Sequence, residues 1–167
     1  MVELAHKLGD TQLVRLPREL LESTGFLLAL VGGAVKERWS EEMERTGFNP
    51  YHFRVLVLLD EGAQDTQAAI ADTLELDRSQ LVGLLDGLES SGLIVRHRDL
   101  KDRRRHVVSL TPAGRRQLRK FRTIAERVEA DFLDPLGDDE RSALHDLLLR
   151  LAVFHDPRCI LDQDAGV

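Results

Sequence analysis

Residues 66–114 read TQAAIADTLELDRSQLVGLLDGLESSGLIVRHRDLKDRRRHVVSLTPAG, and this stretch decides the fold. Thr66 is placed to cap a short helix from Gln67 to about Leu74, with Ala68, Ile70, Ala71 and Leu74 as its apolar side. Glu75-Leu76 make a tight turn, Asp77 caps a second helix from Arg78 to Ser91, and Gly92 ends it. Leu81, Leu84, Leu85 and Leu88 follow the three-and-four spacing of one buried helix face. The period then changes to two: residues 93–97 and 106–110 read as strands, joined by the polar tip 98–105. Thr111-Pro112 supplies a capping hydroxyl and a first-turn proline for the next helix. Helix, turn, helix, strand, basic tip, strand is the order of a winged helix-turn-helix. Its second helix fits the major groove of DNA, where each base pair shows a distinct pattern.

The charge is distributed to match. The chain of 167 residues carries a net charge of −6, a balance that by itself argues against a polyanion ligand. Residues 78–122, however, hold 12 basic and 4 acidic residues, +8, leaving 11 basic and 25 acidic, −14, elsewhere. One basic block can meet a polyanion while the acidic remainder keeps the protein dispersed. Arg and Lys crowded at a hairpin tip repel one another unless an anion faces them, and the minor groove offers a negative potential that Arg reads.

Working outward, a long helix is expected from Pro17 to about Arg45, its centre Gly25 to Val35 apolar nearly all round. Such a helix needs partners on more than one side. A further helix carries Phe53, Leu56, Val57 and Leu59 and stops at Glu61-Gly62. Beyond the hairpin, helices are expected over 113–133 and 138–154, the last with Leu144, Leu147, Leu148, Leu151 and Phe154 on one side. The expected class is mostly α with a small β-hairpin wing. The expected division is an N-terminal dimerisation region (1–50), a DNA-binding lobe (51–112) and C-terminal dimerisation helices with a tail (113–167). The apolar faces point to a homodimer.

The motifs also resemble those of a known family. Asp102-Arg103-Arg104-Arg105 leading through residues 106–110 to Thr111-Pro112-Ala113-Gly114 is similar to the wing signature of the MarR (multiple antibiotic resistance regulator) family. Its form there is Asp-x-Arg, then a strand ending Leu-Thr-x-x-Gly. Ile70-Ala71, Leu76 to Gln80 and Leu88-Glu89-x-x-Gly92-Leu93-Ile94 match the family pattern upstream. The resemblance implies an obligate dimer built from N- and C-terminal helices, an operator with two half-sites, and a small-ligand release mechanism. It implies that Arg104 enters the minor groove and that Asp102 orients it. The chain departs from the family on the reading helix, where Val82, Gly83 and Gly87 stand in place of the usual Ser or Thr and two Arg residues.

The expected DNA-facing residues are therefore Arg78, Ser79 and Gln80, with Val82 against a thymine methyl and Gly83 allowing close approach. Thr66 and Gln67 are candidates for phosphate contact at a helix N-terminus. Lys101, Asp102, Arg103, Arg104 and Arg105 form the wing tip. Trp39, Phe48, Tyr51 and Phe53 are half of the chain's Trp, Tyr and Phe residues. They read either as a packing hinge or as a crevice for an aromatic anion, lined by Trp39, Tyr51 and His52 with Arg54 as counter-charge.

Other functions find less support. No nucleophile elbow, phosphate-binding glycine loop or paired carboxylate is visible, so no enzyme is expected. The six histidines lack metal-ligand spacing, and no cofactor is expected. A single cysteine, Cys159, and the lack of a secretory leader or an apolar span place the chain in the cytoplasm. The competing function is a winged-helix protein-interaction module without sequence-specific DNA binding.

Overall fold

The computed structural model describes residues 15–62, 66–98 and 106–159. In chain order the helices are α1 (Arg18–Leu21), α2 (Thr24–Glu44), α3 (Pro50–Glu61), α4 (Gln67–Leu74) and α5 (Arg78–Ser90). Strands β1 (Ile94–Arg98) and β2 (His106–Leu110) precede α6 (Pro112–Phe132) and α7 (Asp138–His155), and a 3-10 turn, Pro157–Cys159, closes the described part. The chain divides into two units, Met1–Arg38 and Trp39–Val167.

The expected single helix from Pro17 is two helices. The chain leaves the first at Glu22, and the Ser23 hydroxyl accepts the Phe26 N–H at 3.2 Å, satisfying a free amide of a new helix start. Among the described residues of the first unit no side chain is fully buried: Leu28 is 49% exposed and Val31 48%. Gly32 and Gly33 of α2 face open space.

The second unit encloses the core. Met43 of α2, Val55 and Leu56 of α3, Ile70 of α4, and Leu81, Leu85 and Leu88 of α5 are buried with Leu93, Ile94, Val108, Leu118 and Phe121. With so few aromatics in the chain, three of them concentrate at one joint. Phe121 of α6 meets Phe48 and Phe53 edge-on, at ring-centre distances of 5.4 and 6.4 Å. Asp60 at the end of α3 pairs with Arg115 and Arg122, one face of α6, at 2.8 and 2.9 Å, and Glu42 pairs with Arg127. These pairs are exposed and orient α6 more than they stabilise it.

The caps expected from sequence are present: Thr66 accepts the amide of Ala69, Asp77 that of Gln80 and Thr111 that of Gly114. Asn49, which the sequence placed only in a turn, also caps α3, accepting the amides of Tyr51 and His52. β1 and β2 pair antiparallel, Ile94 with Leu110 through Arg98 with His106, and Thr66 adds a single bridge to Val107. The motif Leu-Thr-x-x-Gly now has a physical reason. The Thr111 hydroxyl donates to the Gly92 carbonyl at 2.7 Å while accepting from Gly114, tying the start of α6 to the end of α5. A Cβ on Gly114 would lie 2.0 Å from the Leu93 carbonyl oxygen, so only glycine fits.

Candidate nucleic-acid interface

Burying Leu81, Leu85 and Leu88 turns the opposite side of α5 outward. Ser79, Val82, Gly83 and Asp86, spaced at i, i+3, i+4 and i+7, form one exposed stripe, with Arg78 exposed at its start. Arg78 has no ion-pair partner among the described residues. The surroundings of Gly83 are open, so among the described residues nothing would keep a backbone or base from approaching.

Gln80, exposed as expected of a DNA-facing residue, also caps its own helix. Its Oε1 accepts the Asp77 N–H at 3.2 Å while the Asp77 carboxylate accepts the Gln80 N–H at 2.8 Å, a reciprocal cap that starts α5. Ser79 Oγ also donates to Asp77 at 2.7 Å. The Gln80 backbone amide and the Ser79 hydroxyl hold the Asp77 carboxyl below the usual aspartate value. Two of the three expected readers thus first position the helix start.

Gly87 parts company with Gly83. A Cβ there would meet His52 Nε2 at 3.5 Å, so Gly87 faces α3 and lets the imidazole rest against α5. His52 Nδ1 accepts the Asn49 N–H at 3.0 Å, which completes the α3 cap, and its ring meets Phe48 edge-on at 5.4 Å. Desolvation lowers its pKa below the usual 6.5.

The four residues expected to line an effector crevice divide between two faces of α3 and its surroundings. Trp39 packs edge-on against Phe53 at 5.4 Å, and His52 is engaged in the cap, both half-buried. Tyr51 and Arg54 are exposed, with the guanidinium carbon 5.4 Å from the Tyr51 ring centre. Thr66 and Gln67 stand at the start of α4, the Thr66 hydroxyl accepting from Ala69 at 3.3 Å. Lys101, Asp102, Arg103, Arg104 and Arg105 lie outside the described residues.

The sequence reading missed one group. The Arg96 guanidinium on β1 bridges Glu89 and Asp86 of α5, with Nε to Glu89 Oε2 at 2.8 Å and Nη2 to Asp86 Oδ1 at 2.7 Å. Its backbone N–H also donates to Glu89 Oε1 at 3.1 Å. The hydrogen bonds from Arg96 hold the Glu89 carboxyl low, and those carboxylates raise the Arg96 pKa. Glu89 was visible only as part of a motif. The available signal was a basic residue early in the strand, seven residues after an acid at a helix end.

No group of three or more His, Cys, Asp or Glu able to hold a metal occurs among the described residues, and no described helix is long and apolar enough to cross a membrane.

Comparison with known proteins gives a consistent picture. A family model described as "MarR family" matches residues 46–105. A protein of Thauera aromatica named for transcriptional regulation of its hcr operon is 35% identical over 105 residues, 63% of each chain, so the match spans under two thirds of that relative. A MarR-family transcriptional regulator from Rhodococcus sp. RHA1 is 31% identical, with a TM-score of 0.69 over 84% of this chain and 98% of its own. The repressor CouR bound to a 23-mer DNA duplex is 36% identical, with a TM-score of 0.70 over 83% of this chain and 99% of its own. CouR from Rhodococcus jostii RHA1 bound to p-coumaroyl-CoA is 34% identical, with a TM-score of 0.65 over 81% of this chain and 96% of its own.

Proposed function

Since the chain belongs to the MarR family of winged helix-turn-helix transcriptional regulators, we propose that it is a ligand-responsive repressor that binds a pseudo-palindromic operator as a homodimer. The observation that carries this is the α5 stripe. A helix anchored by three buried leucines presents Arg78, Ser79, Val82 and Gly83 outward, and a hairpin leading to a basic tip is bonded to its far end. Val82 suits a thymine methyl, Gly83 permits close approach, and Gln80 contributes through its amide nitrogen. Thr66 and Gln67 contact phosphate at the α4 N-terminus. Lys101, Arg103 and Arg105 meet the backbone, and Arg104, oriented by Asp102, enters the minor groove. CouR bound to DNA supports this reading.

The working division is dimerisation through residues 1–50 and 113–167, with the DNA-binding lobe at 51–112. Exposed Leu27, Leu28, Leu30 and Val31 on one side of the division, and Leu147, Leu148, Leu151 and Phe154 on the other, support a second copy as their partner. The two α5 helices of such a dimer meet successive major grooves, ~34 Å apart. The effector is an aromatic anion, supported by p-coumaroyl-CoA on CouR and by the exposed Tyr51–Arg54 pair. Trp39 and His52 behind that pair transmit its arrival. The protein works in the cytoplasm by binding rather than by catalysis.

A gel-shift titration of the DNA upstream of the chain's own gene tests the reading. Arg104→Ala weakens operator binding by about 1–3 kcal/mol per half-site, and Lys101→Ala weakens all sequences alike. Equal affinity for operator and scrambled DNA would instead identify a protein-interaction module.

A further inference from the structure

Asp86 is the last member of the outward stripe on α5, following Ser79, Val82 and Gly83. Any surface that approaches phosphate is penalised by a bare acid, and Glu89 lies one turn further along the same helix. Both acids meet Arg96, whose backbone and side chain each bond to Glu89 and whose Nη2 also reaches Asp86. Arg96 pairs across the hairpin with Val108, so whatever fixes Arg96 fixes the hairpin. The guanidinium side chain is 23% exposed, sheltered enough to hold one geometry.

Resting on the DNA-binding reading above, we propose that Arg96 is a positioning residue for specificity. It clamps β1 to α5, sets the offset between the major-groove helix and the hairpin, and cancels the charge of Asp86 at the DNA face. A guanidinium suits the task because its planar fork serves two carboxylates at once, which a lysine ammonium does in no fixed geometry. Two readers on one rigid body engage together, and the second contact follows the first without a further ordering cost. A loose hairpin leaves each contact in place and loses their register. The apolar joint of Leu88, Leu93, Ile94 and Val108 keeps the hairpin folded, so the clamp acts on orientation and not on folding.

Charge and position separate experimentally. Dissociation constants are measured for an operator duplex and a scrambled duplex of equal composition, using the full chain, Arg96→Ala, and the triple variant Asp86→Asn, Glu89→Gln, Arg96→Ala. Arg96→Ala bares two acids, so it weakens binding to both duplexes and lowers the operator preference roughly tenfold, about the discrimination of one base pair. The triple variant carries no bare acid. It binds scrambled DNA at least as tightly as the wild type while the operator preference stays roughly tenfold low. A wild-type preference in either variant overturns the proposal. If the triple variant is unfolded by circular dichroism, Glu89→Gln decides. It keeps an oxygen for the Arg96 N–H and leaves the Asp86 pair but loses the ion pair at Glu89, so a smaller fall in preference is expected, and an unchanged preference there also overturns the proposal. A wild-type chain without operator preference defeats the DNA-binding reading itself, a result distinguishable from all of these.

Discussion

Leu81, Leu85 and Leu88 of α5 and Leu27, Leu28 and Leu30 of α2 are leucines each set within one helix, yet the first three are buried and the second three are exposed. The α3–α6 lobe uses its apolar side chains within one chain, closing Ile70, the α5 leucines and Phe121 into a single core. The first half of α2, and α7 with Leu151 at 49% and Phe154 at 82% exposure, leave theirs unspent. Helices this apolar do not persist against water without a partner, and a second copy presents the same faces by symmetry. On the proposed division, the lobe reads DNA and the other helices decide how many lobes read together.

The comparison breaks most severely at the apolar faces. Leu151→Glu places a charge twice in a two-fold interface, costing the dimer roughly 4 kcal/mol or more. Sedimentation should show a monomer in which the lobe stays folded, because its core takes no residue from α7. Next is Gly114→Ala, which drives a methyl into the Leu93 carbonyl and lowers stability by about 3 kcal/mol or more, the upper range of overpacking. Urea denaturation measures it, and here the lobe fails whatever the state of assembly.

A smaller effect sharpens the reading of the α5 face. Gly83→Ala gains roughly 1 kcal/mol of helix propensity in the open surroundings of Gly83, while operator affinity falls because the methyl intrudes on the groove. A thermal melt and a binding titration together separate the two. Smallest is the pH dependence of His52. Its lowered pKa means that the unfolded chain takes a proton more readily than the folded one. Stability is therefore full above the usual 6.5 and declines as pH falls through it. His52→Gln retains an acceptor for the Asn49 N–H and should remove that pH-dependent component from denaturation curves between about pH 5 and 7.

Much of the lobe was legible because its signals are local. Thr66, Asp77 and Thr111 each cap the helix that follows within three residues, and the leucine spacing of α5 names its own buried face. The break at Glu22–Ser23 was not legible, since no glycine or proline marks it and Ser23 caps as readily as it continues a helix. Gln80 was read as a base reader because Asp-x-x-Gln at a helix start is at once a cap and an exposed amide; here the cap uses its oxygen. Tyr51 and Arg54 were grouped with Trp39 and His52 by proximity in sequence, whereas helical spacing places the first pair outward and His52 against Gly87. Arg96, Glu89 and Asp86 meet only after the chain reverses at Gly92, so no local pattern announced them. The wing-tip residues 101–105 lie outside the described residues, and their roles are proposals from sequence.

On this proposal two copies of the lobe read one DNA sequence together. The direct measurement is a stoichiometric titration of a duplex spanning the chain's own upstream region at physiological salt, against a scrambled duplex, with mass determined for the complex. Two chains per duplex and an operator preference of at least about a thousandfold are expected. One chain per duplex, or equal affinity for the two DNAs, would contradict the proposal.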